Sequence, residues 1–260
     1  MELLSVEMIL AAFLIFVRVG ALIATAPFFR NGSIPVRVKI FFSLVLSVML
    51  LPVIPVQGMV IPVDANMLQV TVAIFKELLV GVAMGLTGQI LFAALQIGGE
   101  LFSLNTALTF ASIVDPVNNA QQAIISQLFI LLGTFVFISG GGDAYYIRAL
   151  AHSFDVVPPG TVQAGMAAPV FIEMATSLFL LGVQIASPFI VVLFLMDLSF
   201  AIFGRIMPRA NIFFIALPLK MGIGFMLMLW VLPYAPIAFE MIFTRIWEYL
   251  DQILSVLGGG

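Results

Sequence analysis

The chain has 260 residues, of which 63% are hydrophobic and only 9% are charged, and its formal net charge is −3. A soluble domain of this length needs far more polar surface around its core, so we predict that lipid or other apolar protein surrounds this chain. The charge leaves no basic face for nucleic acid, and the absence of cysteine excludes disulfides and thiolate chemistry.

Six long apolar segments occupy most of the chain and predict an all-α membrane protein, since a spanning helix needs roughly 20 apolar residues. The first segment contains Arg18 and follows Glu2 and Glu7, where a signal peptide is basic, so we expect a retained helix. Pro188 and Pro218 are expected to kink or break the fifth and sixth segments. The segments cover about 8–29, 38–56, 68–97, 123–139, 170–203 and 212–232.

Small residues in the third segment favour close helix packing. Gly81 and Gly85 have the spacing at which two helix backbones approach closely in an apolar medium, and Gly88 follows them. This spacing is common in membrane helices, so it predicts packing rather than a particular function.

The region from Glu100 to Gln122 is too polar to span a membrane and too apolar for an ordinary solvated loop. Asp115-Pro116 favours a bend. One interpretation is a surface hairpin between two helices. The other is a re-entrant segment or plug, because irregular backbone at membrane depth is tolerated where protein buries it or a cavity lies beside it.

The longest hydrophilic stretch runs from Asp143 to Pro169, and we expect it to be a polar loop. It holds His152, the single histidine of the chain. No Gly-x-Ser-x-Gly elbow, paired histidine motif or Gly-rich phosphate loop occurs. We therefore predict a protein that is not an enzyme and that holds no cofactor or metal.

The tail from Ile237 to Leu257 is predicted to be an amphipathic helix, because its polar residues recur at helical spacing. It can lie on the membrane surface or pack against a partner. The polar stripe is mostly acidic, with Glu240, Glu248 and Asp251, so a protein partner is favoured over anionic lipid.

Basic residues near two of the connections indicate an orientation. Arg30, Arg37 and Lys39 flank the first connection, and Arg205 and Arg209 flank the last. The excess of basic residues in cytoplasmic loops predicts that both connections are cytoplasmic and that both termini lie outside.

Several charged residues fall within or at the edges of the apolar segments. A charge at the centre of a bilayer costs at least about 2.5–3.5 kcal/mol on insertion scales, so each needs a partner or water. They are predicted to form ion pairs between helices or subunits, with an aqueous path as the alternative. These residues are Arg18, Lys76, Glu77, Glu100, Glu173, Asp197 and Lys220.

Short motifs occur in a fixed order along nearly the whole chain. They are Arg18 with Pro27-Phe28, Ile34-Pro35-x-Arg37-x-Lys39, Lys76-Glu77 with Gly81 and Gly85, Gly99-Glu100 with Phe110-Ala111 and Asp115-Pro116, Pro188 with Asp197, Gly204-Arg205-x-x-Pro208-x-x-Asn211-x-Phe213, and Pro218-x-Lys220. Each is weak alone. In this order the chain resembles the FliR family of flagellar type III export-gate proteins, whose virulence-system counterparts have a similar pattern.

The resemblance implies a single export-gate subunit over residues 1–260. Residues 1–168, including the loop 100–122, would be a FliP-like helical part, and residues 169–260 a FliQ-like hairpin with the amphipathic helix. The loop that helps to close the family's pore corresponds to about residues 106–119. Its plug residues here would be Phe110, Ile113, Val114, Asp115 and Pro116.

The resemblance also implies partners and a location. The subunit would form with FliP and FliQ the pore through which unfolded flagellar proteins pass, with FlhB around it and FlhA below. It would lie in the bacterial inner membrane within the flagellar basal body, with the assembled gate raised toward the periplasm. Arg18, Lys76, Glu77, Glu100, Asp197 and Lys220 would then be buried charges needed for assembly.

A small-solute or ion secondary transporter is the alternative function. Helices broken at Pro188 and Pro218, with Asp197 and Lys220 nearby, would suit a binding site at the membrane midplane. No convincing inverted repeat relates the two halves of the sequence.

Overall fold

A computed structural model describes residues 6–30, 34–54, 66–106, 124–162, 167–209 and 211–259. Within these ranges the chain is helical and contains no β-strand, which confirms the predicted all-α fold. A short 3₁₀ helix, Leu232–Tyr234, joins the last two α-helices. The α-helices are α1 (Val6–Thr25), α2 (Pro27–Arg30), α3 (Val36–Leu50), α4 (Met67–Asn105), α5 (Ile124–Ser139), α6 (Gly142–Val156), α7 (Ala167–Ile206), α8 (Ile212–Val231) and α9 (Ala235–Gly258).

Four helical stretches in the described part of the chain are long and apolar enough to cross a membrane. The number rises to five if α5 and α6, which meet at a bend of 69°, count as one span. Each of the six predicted segments contains a helix, but α3 and α5 have only 15 and 16 residues. Each is therefore shorter than the roughly 20 residues that cross a bilayer unaided.

The predicted polar loop after residue 143 is wrong over its first part, because Gly142–Val156 forms α6. Its apolar residues Tyr146, Leu150 and Phe154 are all buried. They lie four residues apart and therefore on one helix face, a helical signal that the polar residues between them obscure. Gly141, with φ of 75°, makes the turn between α5 and α6.

Pro188 does not break α7, which continues from Ala167 to Ile206. Proline lacks the N–H that would bond the carbonyl oxygen of Gln184, four residues earlier. The Ser187 hydroxyl donates to that oxygen instead, at 2.8 Å. In a membrane helix, a serine hydroxyl can replace the backbone hydrogen bond that a proline removes, and α7 therefore continues through Pro188.

The predicted amphipathic helix in the tail is confirmed as α9. Its apolar face, including Phe239, Ile246, Leu250 and Leu254, is buried within the chain, and its polar stripe is exposed. The apolar face is thus covered intramolecularly from Ile242 onward, whereas Ile237 and Met241 near the start of the helix are exposed. Beyond Met241, the polar stripe is what remains for a partner or a membrane surface.

The chain divides into two compact units that interleave along the sequence. The first contains Met1–Leu91, Gly141–Ala175 and Phe243–Gly260, and the second contains Phe92–Gly140 and Thr176–Ile242. The division into FliP-like and FliQ-like parts at residues 168 and 169 concerns likeness to other proteins, and it stays a prediction.

In the first unit, α1 crosses the beginning of α4 at the predicted glycines. A Cβ at Gly81 would overlap the carbonyl oxygen of Arg18, and a Cβ at Gly85 would overlap the Thr25 hydroxyl. The glycines therefore allow backbone contact between the two helices, which places Arg18 directly against α4.

In the second unit, the end of α4 packs against α5 and α7. A Cβ at Gly99 would lie 2.5 Å from the Cα of Ser126, and one at Gly182 would lie 2.7 Å from the Cγ2 of Ile97. The rings of Phe102 and Phe189 meet edge to face with centroids 4.8 Å apart. Small residues and interlocked aromatic rings thus form this core.

Candidate functional site

Arg18 is the centre of a polar cluster inside the first unit. Its Nε donates to Glu77 Oε2 at 2.6 Å, and both side chains are 0% exposed. Its other nitrogens donate to the carbonyl oxygens of Ser153 at 2.8 Å and Val157 at 2.9 Å. The guanidinium also lies 4.0 Å from the centre of the Phe154 ring. Arg18 therefore ties α1 to α4 and to the carboxyl end of α6.

The turn after α6 is held by the charges of α4. Glu77 Oε1 accepts the N–H of Gly160 at 3.0 Å, and Lys76 Nζ donates to the carbonyl oxygen of Gly160 at 2.7 Å. Gly160 has φ of 87°, a backbone conformation that favours glycine. Lys76 and Glu77, which are adjacent in the sequence, thus bind the carbonyl oxygen and the N–H of the same residue, Gly160.

The sequence identified the charged members of this cluster but not their partners. Ser153, Val157 and Gly160 contribute mainly backbone groups, which carry no side-chain signal in a sequence. The dipeptide Pro158-Pro159 stands directly before Gly160, and nothing in it shows that Lys76 and Glu77 bind the next residue.

The second unit holds a different ion pair. Lys220 Nζ on α8 lies 2.7 Å from Oδ1 and 2.8 Å from Oδ2 of Asp197 on α7. The Lys220 side chain is 13% exposed, whereas the Asp197 side chain is 50% exposed. The pair joins two long helices, and the Asp197 side of the pair remains exposed.

The remaining charged candidates are not brought into either cluster. Glu100 accepts from Gln96 on the same helix, at 2.8 Å, and Glu173 is exposed on α7. The predicted plug residues Phe110, Ile113, Val114, Asp115 and Pro116 lie outside the described residues. The role of all these charges in assembly stays a prediction.

The outer surfaces of α7 and α8 are strongly apolar. Of the most apolar 18 residues of α7, 22% are buried, and in the stretch Phe214–Gly258 the corresponding figure is 6%. Surfaces of this kind on a protein indicate contact with lipid or with another protein. Their exposed members include Phe179, Phe194, Phe203, Met226, Leu229 and Trp230.

Among the described residues, no group of three or more histidine, aspartate or glutamate side chains is placed to hold a metal ion. His152 is exposed on α6, where its Nδ1 lies 3.9 Å from Oδ2 of Asp155, which is also exposed. Most of the hydroxyl side chains whose hydrogen bonds the structure describes donate to a backbone carbonyl oxygen of their own helix, as Thr87 does to Ala83.

The described helices, of which four are long and apolar enough to cross a membrane, place the chain in the class of helical membrane proteins. The chain belongs to the bacterial export proteins, family 1, whose sequence model matches residues 9–246.

Within that family, the chain is similar to flagellar biosynthetic proteins FliR. It is 33% identical to FliR of Aquifex aeolicus (strain VF5), over 95% of this chain and 96% of the relative. It is 31% identical to FliR of Escherichia coli (strain K12), over 92% and 91%, and 24% identical to FliR of Bacillus subtilis (strain 168), over 97% and 98%. The predicted resemblance is therefore confirmed, and the chain is a membrane component of flagellar export.

Proposed function

We propose that this chain is a non-enzymatic core subunit of the flagellar type III protein-export gate. With FliP and FliQ it forms the pore through which unfolded flagellar proteins pass. FlhB and FlhA are further partners. The gate lies in the bacterial inner membrane within the flagellar basal body, and the assembled gate is raised toward the periplasm.

The observation that carries the proposal is the exposure of α7 and α8 in a chain of this family. Phe194, Phe203 and Leu229 lie on helices that are too apolar to face water. In a pore, neighbouring subunits cover such surfaces on each other. An exposed apolar surface on one chain is therefore expected if that chain is part of a hetero-oligomer.

The partly exposed ion pair between Lys220 and Asp197 supports the same interpretation. The Asp197 side chain is 50% exposed on a mainly apolar helix pair, and its exposed side is stable only where water or polar groups of another chain reach it. In the proposed gate, residues 106–119 help to close the pore, and the driving energy comes from other components.

The test is native mass spectrometry of the chain after gentle detergent extraction, alone and co-expressed with its genomic neighbours. We expect a hetero-complex that contains this chain and polypeptides of other sequence. A stable species of this chain alone, able to take up a small solute in vesicles, would instead establish the transporter.

A photocrosslinking residue placed at Phe194 gives the matched structural test. We expect it to crosslink to a polypeptide of different sequence, because Phe194 lies on the exposed face of α7. The control is the same crosslinker at Ser255, which is exposed on the polar stripe of α9. Crosslinks from Phe194 to lipid alone would contradict the proposed packing.

A further inference from the structure

Helices α4 and α5 cross at very close range in the second unit. A Cβ at Gly99 would lie 2.5 Å from the Cα and 2.8 Å from the backbone nitrogen of Ser126. Seven residues further along α5, Gly133 faces Leu95, which lies one helical turn before Gly99 on α4. The two helices are therefore antiparallel, and a glycine on each lets their backbones approach.

The Ser126 hydroxyl lies in this crossing and has no hydrogen-bond partner among the described residues. Ser126 is 0% exposed, so its hydroxyl is removed from bulk water. A buried hydroxyl that forms no hydrogen bond destabilises the arrangement that contains it. An alanine would fill the same place without that cost, so the hydroxyl does not serve the stability of this arrangement.

A free acceptor lies one helical turn away on the same face of α4. Ser103 is buried, and its hydroxyl donates to the carbonyl oxygen of Gly99 at 2.9 Å. A hydroxyl oxygen can also accept a hydrogen bond, and no described residue donates to that of Ser103. Gly99 and Ser103 are four residues apart, the spacing of small residues at which a neighbouring helix can pack closely.

The packing of α5 on α4 favours movement toward Ser103. In the opposite direction the same face of α4 carries Leu95, whose large side chain already fills the space at Gly133. A shift of one turn toward Ser103 would instead move Gly133 from Leu95 to Gly99. Two glycines can meet there without a clash between side chains.

We propose that α5 has a second position, one helical turn or about 5.4 Å further along α4, in which the Ser126 hydroxyl donates to the Ser103 hydroxyl oxygen. Packed helices move between discrete positions of this kind, because interlocked side chains do not deform continuously. The unpaired hydroxyl destabilises the first position and the new hydrogen bond stabilises the second, so Ser126 brings their free energies closer. The inference rests on the proposed function, since a gate that passes unfolded proteins has to change shape.

The first test compares the thermal unfolding midpoints of Ser126→Ala and Ser103→Ala in the detergent-solubilised protein. Both substitutions remove one buried serine hydroxyl, but only that of Ser103 is hydrogen-bonded. Ser126→Ala should raise the midpoint by about 2–4 °C, because an unsatisfied group is lost. Ser103→Ala should not raise it.

The second test measures secretion of a flagellar protein by a strain in which each variant replaces the natural chain. Both alanine variants lack one half of the second-position hydrogen bond, so each should reduce secretion about five- to thirty-fold. The double variant should reduce it no further, because the two residues act through one bond. Ser199→Ala on α7, whose exposed hydroxyl bonds its own helix, is the control and should secrete normally.

The third test observes the movement. The chain has no cysteine, so Leu104→Cys with Leu131→Cys places one nitroxide label on α4 and one on α5, both at exposed positions. The label-to-label distance is measured in the whole complex at rest and with a flagellar protein stalled in transit. We expect it to shorten by at most about 5.4 Å in transit, and to do so in far fewer molecules of Ser126→Ala.

Three results would overturn the inference. A lowered midpoint for Ser126→Ala would show that its hydroxyl is bonded at rest, for example to a buried water. Normal secretion by both alanine variants would show that the two hydroxyls do not act in export, and an unchanged label distance would show that α5 does not move. Failure of the proposed function is distinct, since a strain without this chain would then secrete normally. If the labelled complex does not assemble, the alanine variants decide.

Discussion

Arg18 and Glu77, which are 59 residues apart in the sequence, form a fully buried ion pair with an Nε–Oε2 distance of 2.6 Å. Arg18 uses its remaining nitrogens on the end of α6, and Glu77 uses its second oxygen on the following turn. Both charges are thus almost fully hydrogen-bonded, which offsets the large cost of removing them from water.

The first prediction concerns this pair. Glu77→Gln leaves the Arg18 charge buried without its counter-ion, and such changes typically destabilise by about 3–5 kcal/mol. We expect a clear fall in the thermal unfolding midpoint of the detergent-solubilised protein. Arg18→Met with Glu77→Gln should be more stable than Glu77→Gln alone, because no charge is then left unpaired.

The control for this prediction is the exposed pair Arg245–Glu248 on α9, whose N–O distance is 2.7 Å. Exposed pairs of this kind contribute at most about 1 kcal/mol, so Arg245→Ala should leave the midpoint nearly unchanged. Equal effects of Glu77→Gln and Arg245→Ala would contradict the role of burial.

The second prediction concerns the crossing of α1 and α4. Gly85→Ala places a Cβ against the Thr25 side chain and 3.0 Å from its carbonyl carbon, so the two helices must separate. Overpacking of this kind costs about 1–3 kcal/mol and should lower the unfolding midpoint. Gly222→Ala on α8 is the control, since nothing lies within 4 Å of the added Cβ. A midpoint unchanged by Gly85→Ala would refute the close crossing.

The third prediction concerns the proline of α7. Ser187→Ala removes the donor that satisfies the Gln184 carbonyl oxygen, which should destabilise by about 0.5–1.5 kcal/mol. The same substitution in a Pro188→Ala background should cost much less, because residue 188 then supplies a backbone N–H. A double-mutant cycle of unfolding midpoints measures the difference, and additive effects would show that Ser187 does not compensate for Pro188.

The fourth prediction concerns the ion pair Lys220–Asp197. Lys220→Met leaves the Asp197 carboxylate on an apolar surface without its cation, so we expect a lower yield of the assembled complex. Asp197→Asn should have a similar effect, since Lys220 is largely buried. Yield is measured by affinity purification and native mass spectrometry, and full yield from both variants would exclude a role in assembly.

The fifth prediction concerns the proposed plug. Deletion of residues 110–115 should preserve assembly and make the membrane permeable to small ions, because an obstruction has been removed from the pore. Single-channel conductance of the reconstituted complex is the measurement. A deletion variant that assembles normally and has unchanged conductance would contradict the plug hypothesis.

Composition and periodicity determined a great deal about this protein. Apolar runs predicted the all-α fold, the spacing of Gly81 and Gly85 predicted a close helix contact, and the polar stripe of the tail predicted α9. These features are local, since each depends on residues within a few helical turns. They are therefore readable from one sequence without knowledge of what packs against them.

Tertiary structure decided which charges meet. Arg18 had several carboxylates as possible partners in the sequence, and only the crossing of α1 and α4 at Gly81 selects Glu77. Likewise, α6 was hidden because charged and polar residues are interspersed among its apolar ones, while its buried face is defined by neighbours distant in the chain. Burial and pairing are properties of contacts between remote segments, and local sequence patterns do not encode those contacts.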